Sequence, residues 1–373
     1  MLHFEQLSFW EHQQYLHNNT FVIVGAGLVG MSTALGLKSR FPNEKILILE
    51  RGYLPTGAST KNAGFACFGS PTELNDDLQH IPKEKVWETV ELRLKGLELL
   101  KNRVGLSQMN YKNCGSWDLI GPNDTALNAD FLAQLNLEML HRFGLKEVYK
   151  IDPQFQQKFG FQGYHTAYFN AHEGSIDTGL LMATLYKQCV LADIQFLFAT
   201  EVENWTASEQ HVLIQTAHGQ IETNHLFLCT NGFAQQFFSD ELKPARAQVL
   251  LTKPLKHSIS GTFHTDRGYY YFRDIGARIL LGGGRHLDFD TETTTHFEQN
   301  LLVRQALVDK LTQEILPGQH FEIEQEWSGI MGVGTQKKPI IRSLNKNVHA
   351  GVRMGGMGIA IGSAVGDALS KLV

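Results

Sequence analysis

The residues with the plainest chemical purpose are Gly25, Ala26, Gly27, Leu28, Val29 and Gly30, with Glu50 twenty residues beyond the last glycine. In a GxGxxG turn the first glycine permits a tight bend, the second lets the backbone approach a diphosphate, and the third lets a helix pack closely on the preceding strand. The N–H groups at the helix start and the positive end of its dipole hold phosphate charge. An acidic side chain at the distance of Glu50 accepts hydrogen bonds from ribose hydroxyls. The chemistry these residues suit is nucleotide binding.

The flanking residues supply the elements that must hold this turn. Phe21 to Val24 is a short β-branched run that reads as a buried parallel strand. An apolar, Ala-rich helix follows to about Arg40, and Lys45 to Leu49 reads as a second buried strand. Together they form a βαβ unit. A membrane span is the competing reading of Phe21 to Leu37, but these 17 residues include four glycines, Ser32 and Thr33, and a span needs ~20 apolar residues. Arg51 to Ser70 is a long loop of small residues, placed to wrap a ligand beside the nucleotide.

With 373 residues, the chain has the length of about two domains. Hydrophobic content of 43% against 19% charged is that of a folded globular protein. The net charge of −5 and the lack of a basic block give no support to a nucleic-acid partner. The 16 histidines are scattered without an HxxxH or HExxH pair, so no metal site is expected. Cys67, Cys114, Cys189 and Cys229 are widely spaced and read as reduced thiols. The first twenty residues lack Lys, Arg and an apolar run, so no signal peptide is expected and the cytoplasm is the expected location.

Periodicity predicts helices from about Lys85 to Val104, from Phe131 to Phe143 (stopped by Gly144), from Gly179 to Ala192 and from Val303 to Ile315. Strands are expected at Ser116–Gly121, Tyr164–Phe169, Asp193–Phe198 and His225–Cys229, with a hairpin over Val212–Ile221. From about Pro244 the pattern turns antiparallel: Ala247–Thr252, a hairpin of Gly268–Arg273 with Arg278–Gly284, and Glu322–Ile330. Near the C-terminus, Gly355-Gly356-Met357-Gly358 opens a helix from Ile359 to Leu369. Gly358, Gly362 and Gly366 share one face of it. With Ser363, Asp367 and Lys371 alongside, that face suits close packing in the nucleotide unit better than a lipid seam.

The chain resembles the D-amino-acid-oxidase superfamily of FAD-dependent oxidoreductases, the group that includes glycine oxidase, sarcosine oxidase and γ-glutamylputrescine oxidase. The resemblance runs nearly end to end. It rests on the glycine turn with Glu50-Arg51, on Gly57 to Gly64 (GASTKNAG), on Leu226 to Gly232 and on Pro244 to Pro254. It continues in Tyr269–Arg273 with Ile279–Gly284, in Trp327-Ser328-Gly329 followed by Thr335 and Pro339, and in Gly355 to Gly358. The fold it implies is α/β with an α+β second domain: a Rossmann-like FAD-binding domain interleaved with an antiparallel-sheet substrate domain. The implied division gives FAD binding to 1–85, 151–235 and 326–373, and the substrate domain to 86–150 and 236–325.

The resemblance further implies noncovalent FAD in an extended form. Glu50 would sit on the adenosine ribose, Arg51 near the adenine, and the backbone of Val202 against the adenine. Ser59, Thr60, Lys61, Asn62, Ala63 and Gly64 would lie along the diphosphate and ring, and Thr230, Asn231 and Gly232 would close over the phosphates. Gly329 and Arg353 are also implied as cofactor contacts. Hydride arriving at flavin N5 leaves negative charge near N1 and the C2 carbonyl, which the N–H groups of Gly355, Gly356, Met357 and Gly358 can stabilise. Met357 stands where the family usually has His, so only backbone contact is expected there.

Substrate-facing candidates are Tyr270, Arg285 and Met331. Tyr270 best matches the family tyrosine over the ring, and strand alternation then turns Tyr269 and Tyr271 to the other face. Met331 occupies the position of the Arg that clamps a substrate carboxylate in glycine-oxidase-like enzymes, and Arg285 can replace it from the opposite side. Leu280 falls where sarcosine oxidase has its oxygen-activating lysine, so the acceptor is oxygen or a carrier. No cysteine near Trp327 matches the covalent-flavin cysteine. Cys67 reads as a buried inert thiol. The expected reaction is oxidation of a C–N bond of a small amine or amino acid by hydride transfer to flavin N5, giving an imine that hydrolyses. The alternatives are an NAD-dependent dehydrogenase and a flavin-binding assembly protein with little turnover. An oxidase of a modified tRNA base is a further alternative, disfavoured by the acidic balance.

Overall fold

A computed structural model describes residues 3–122, 124–238, 240–256 and 259–373. Two eight-stranded sheets organise it. The first is built outward from Asn19–Val24, which pairs in parallel with Ile46–Leu49 on one side and Gly219–Leu228 on the other. Gln195–Leu197 extends it beyond Ile46–Leu49, while Val348–Val352 and then Ile340–Ser343 extend it beyond Gly219–Leu228. Ile46 to Leu49 are fully buried, which is why this strand is continuously apolar rather than alternating.

Helices Leu28–Arg40, Lys83–Val104 and Gly358–Leu369 cover this sheet as one tight layer. A Cβ on Gly366 would lie 2.8 Å from the Val29 carbonyl oxygen, and one on Gly96 would lie 2.0 Å from that of Ala360. The small-residue face of the last helix is therefore a seam of close helix–helix packing, and no helix among the described residues is long and apolar enough to cross a membrane.

The second sheet runs Ile323–Val333, Lys243–Thr252, Arg278–Gly283, Tyr270–Ile275, Thr262–Thr265, Ser116–Ile120, Thr166–Asn170 and Lys150–Ile151. It is antiparallel except between Thr262–Thr265 and Ser116–Ile120, which are parallel. Its outer face packs Phe263, Phe272, Leu281, Val303 and Leu307 into a separate core. A ribbon of Phe65–Ala66 with Gly174–Ser175 joins the two halves. Arg273, only 6% exposed, fastens that junction by donating to the carbonyls of Gly64 and Ile176, both at 2.8 Å.

Three elements depart from the expected pattern. Gly219–Leu228 is one strand that both completes the hairpin and reaches the sheet centre, where two were expected. The helix expected over Val303–Ile315 is regular over Leu301–Lys310 and then widens through Leu311–Ile315. Pro71–His80 is a helix in the stretch between the Arg51–Ser70 loop and the Lys85 helix, where no element was expected, although Ser70 caps it by accepting from the Glu73 N–H and Pro71 opens it.

Candidate active site

The first strand ends at Val24, and Gly25 turns the chain with φ +104°. That conformation, and a Cys229 carbonyl oxygen that would lie 2.9 Å from an added Cβ, require glycine here. At Gly30 a Cβ would stand 2.0 Å from the Gly25 carbonyl oxygen, so the helix can cross the turn only without a side chain. The Leu28 N–H donates to Ser59 Oγ at 2.9 Å, tying the turn to the loop after the second strand. Glu50 Oε2 accepts from the Ala26 N–H and Oε1 from the Gly52 N–H, both at 3.0 Å. The carboxylate thus braces the turn and keeps lone pairs for two hydroxyls.

A cavity of about 810 Å³ runs from this turn to the C-terminal one. Gly25, Gly27, Leu28 and Val29 line one end, followed by Glu50, Arg51 and Val202. Ser59, Lys61, Asn62, Ala63, Thr230, Asn231, Gly329 and Arg353 form its flanks. At the far end are Gly355, Gly356, Met357 and Gly358. The first and last glycine turns, more than 300 residues apart in the chain, therefore meet on one crevice.

Ala26, Gly30, Thr60, Gly64 and Gly232 are not on the cavity surface. They stand behind it, as at Gly232, where a Cβ would meet the Met331 carbonyl oxygen at 2.4 Å. Arg353 lines the cavity, but its guanidinium donates to the carbonyls of Lys338 and Glu241, so its charge is spent on the backbone. Asn231 Oδ1 accepts from the N–H groups of Arg353 and Met354, both at 3.1 Å, and so fixes the approach to the last turn. The Arg51 guanidinium lies 3.8 Å over the Phe233 ring, offering a flat cationic surface.

At the last turn Gly355 has φ +58°, and its N–H donates to the Gly332 carbonyl at 2.9 Å. The first bond of the last helix runs from the Ile361 N–H to the Met357 carbonyl, which leaves the N–H groups of residues 358 to 360 unspent by the helix. Gly358, Ile359 and Ala360 all line the cavity, so this dipole end is available to a bound group.

The second sheet supplies the opposite wall through Ala247, His264, Tyr269, Tyr271, Gly283 and Met331. Tyr270 is not the substrate-facing tyrosine that the sequence suggested. Tyr270 does not line the cavity; it points into the outer core and lies under the Lys310 ammonium at 4.6 Å. Tyr269 and Tyr271 face the site instead. Burial pushes the Tyr271 phenol up to about 12, so it is a neutral hydrogen-bonding group. Arg285 is half-buried at the end of the Arg278–Gly283 strand. Its guanidinium makes no hydrogen bond or ion pair among the described residues and lies 5.0 Å from the Phe289 ring. Burial lowers its pKa, and the opposing pull of Glu292, which is itself paired with Arg246, does not offset it.

Other residues of the cavity gave no signal in the sequence. Glu73 pairs with Arg93 and with Lys337, both at 3.0 Å, joining two helices to the loop after the Ile323–Val333 strand. Burial alone would raise the Glu73 carboxyl, but the two cations outweigh it and hold the carboxyl well below its usual range. His264 is driven down to about 4 by burial, which leaves a neutral imidazole. These partners are too far apart in sequence for spacing to reveal them.

The residues present fit FAD: a glycine cradle at one end, unspent helix N–H groups at the other, and one crevice between them. When bound, FAD supplies two-electron redox chemistry; Glu50 and Arg51 would hold its adenosine end and Gly355–Gly358 would face its ring end. The fold is shared with L-proline dehydrogenase from P. horikoshii, at 17% identity and a TM-score of 0.75, covering 95% of this chain and 93% of that one. Glycine oxidase from Geobacillus kaustophilus aligns at 16% identity and a TM-score of 0.75, covering 94% and 93%. L-amino acid deaminase from Proteus vulgaris aligns at 15% identity and a TM-score of 0.72, covering 96% and 93%. No curated protein sequence matches the chain. The family model for FAD dependent oxidoreductases (DAO) matches residues 20–372. With that match, and with both glycine turns on one crevice, the chain belongs to the DAO family and is an FAD-dependent oxidoreductase.

Proposed function

We propose that this enzyme oxidises a C–N bond of a small amine or amino acid. Bound FAD would supply the two-electron acceptor at its N5 for the substrate hydride, and the oxidised substrate, an imine, would be hydrolysed to a carbonyl compound. The observation that carries the amino-acid reading is Arg285: a half-buried guanidinium facing the cavity with no partner among the described residues. A substrate carboxylate supplies the missing charge through charge-assisted hydrogen bonds. Met331 leaves the alternative position without a cation. Tyr269 and Tyr271 bound the substrate from the sheet side and exclude water from the reacting carbon. The amine must be neutral to release hydride, and an aromatic, desolvated wall favours that form. The backbone of Gly355 to Gly358 stabilises charge at the ring end.

We further propose that FAD is held noncovalently and that the electron acceptor is oxygen or a carrier. The five-segment division stands as a proposal, with FAD binding on 1–85, 151–235 and 326–373 and the substrate unit on 86–150 and 236–325. A cytoplasmic location is supported by the four unpaired cysteines. The test is anaerobic mixing of the FAD-loaded protein with a panel of amines and amino acids. Bleaching of the flavin spectrum supports the proposal, and readmitting air separates oxidase from dehydrogenase. A spectrum unmoved by every member of the panel would favour a flavin-holding protein without turnover, consistent with Leu280, Met331 and Met357 at positions where a working residue often stands.

A further inference from the structure

Beside the crevice, three donors of different chemistry come together from distant parts of the chain. Cys67 follows the Phe65–Ala66 strand, Glu173 precedes the Gly174–Ser175 strand paired with it, and His264 stands on the second sheet. The Cys67 sulfur, a Glu173 carboxylate oxygen and a His264 ring nitrogen all lie within 4.8 Å of one another.

Two further observations distinguish this cluster from ordinary packing. The Glu173 carboxylate is 1% exposed, yet among the described residues no Lys, Arg or His lies within ion-pair distance of it. It accepts from the backbone N–H groups of Phe68 at 2.7 Å and Gly69 at 3.1 Å, and the Ser116 side chain adds a weaker hydrogen bond. A buried carboxylate without a cation is costly, and burial raises this one to about 7, so either a proton or a bound cation supplies the charge. The Cys67 thiol and the His264 ring likewise make no hydrogen bond among the described residues, and His264 is steadied by the edge of Phe65 at 4.9 Å.

We propose that Cys67, Glu173 and His264 form a binding site for a thiophilic divalent cation of the zinc class. Sulfur, imidazole nitrogen and carboxylate oxygen are the donors that zinc takes, and three protein ligands with a fourth position open is a recurrent arrangement. A tetrahedral ion with bonds of ~2.0–2.3 Å spaces its ligand atoms roughly 3.5 Å apart. The observed upper bound therefore asks for a contraction of about 1 Å, within reach of side-chain rotation. Cys67 and His264 both line the cavity and Glu173 does not, so the open position faces the crevice. An ion there staples the Phe65–Ala66 ribbon to the second sheet and narrows the crevice at its sheet wall. Spacing in the sequence hides the site, because the three ligands belong to three separate segments.

The test uses FAD-loaded protein stripped with a chelator and titrated with Zn²⁺ by calorimetry, so it reads binding whether or not the proposed amine oxidation is right. One saturable site per chain is expected. Loss of a direct ligand in Cys67→Ser or His264→Phe should weaken it by more than the ~10–100-fold typical of an outer-sphere partner. Glu173→Gln keeps an oxygen for the two backbone donors and should also weaken binding. His225→Ala, at a histidine pair elsewhere, should leave the site unchanged and serves as the control for the other histidines. Should His264→Phe fail to fold, Cys67→Ser, a change of one atom, decides. Absence of a saturable site, or wild-type affinity in the Cys67→Ser protein, overturns the proposal.

Discussion

The indole N–H of Trp327 donates to the carbonyl of Lys61 at 3.0 Å, linking residues 266 positions apart. Beside it, a Cβ on Gly329 would lie 3.0 Å from the Lys61 Cβ. The loop that follows the second strand is thus pressed against the long strand of the second sheet. One side of the crevice is therefore shaped by this contact, which depends on small residues that let backbones touch.

Gly30 is the most demanding of these. Gly30→Val places a branched side chain against the Gly25 carbonyl oxygen, where even a Cβ would stand at 2.0 Å. Overpacking of this kind costs ~1–3 kcal/mol, and the turn must shift to relieve it. The variant is expected to fold with a lowered melting temperature and to purify without flavin absorbance, measured as bound flavin per chain.

Arg285→Ala removes the unpaired guanidinium while leaving the nucleotide end untouched. A charged hydrogen bond contributes ~1.5–3 kcal/mol, so kcat/KM for an amino-acid substrate should fall roughly 10–100-fold. Flavin content and melting temperature should stay close to wild type. For an amine without a carboxylate the fall should vanish. An equal fall for both substrates contradicts the assigned role.

The tyrosines separate cleanly by face. Tyr270→Ala opens a hole in the outer core and should cost about 3 kcal/mol of stability, while Tyr270→Phe should leave the kinetic constants unchanged. Tyr271→Phe removes a hydroxyl from the cavity wall and should change KM or kcat with little effect on melting. Steady-state kinetics paired with thermal melts of the three variants checks both halves.

His349 gives a pH signature. It is 1% exposed and stacked on His225, and burial, together with repulsion from His225, lowers it to about 4. Its ordinary value is ~6.5. The unfolded chain therefore binds the proton more readily, so the stability associated with the neutral ring is present above about pH 6.5 and is lost as pH falls towards 4. Thermal melts from pH 7 to pH 4 should show wild type losing more stability than His349→Gln over this window. A constant gap between the two curves contradicts the assignment.

What could be read from the sequence was what local rules govern. The βαβ unit announces itself because a buried parallel strand, a glycine turn and a capping acid lie within thirty residues of one another. The helix over Ala129–Phe143 ends at Gly144, left-handed at φ +70°, as its composition predicts. The tyrosine face was beyond reach of the same rules. Alternation states that Tyr269 and Tyr271 share a side and Tyr270 takes the other, but only the packing of Val303 and Leu307 against the sheet decides which side is core. The strand Thr262–Thr265, its His264, and the Glu73–Arg93–Lys337 pairs depend on contacts between distant segments, for which no periodicity exists.

Whether glycine turns near the two ends of the chain grip opposite ends of one FAD is decided by a crystal structure of the FAD complex. The diphosphate is expected against Gly25 to Gly30 and the isoalloxazine ring against Gly355 to Gly358, within the one cavity they both line. A flavin bound away from either turn would contradict it.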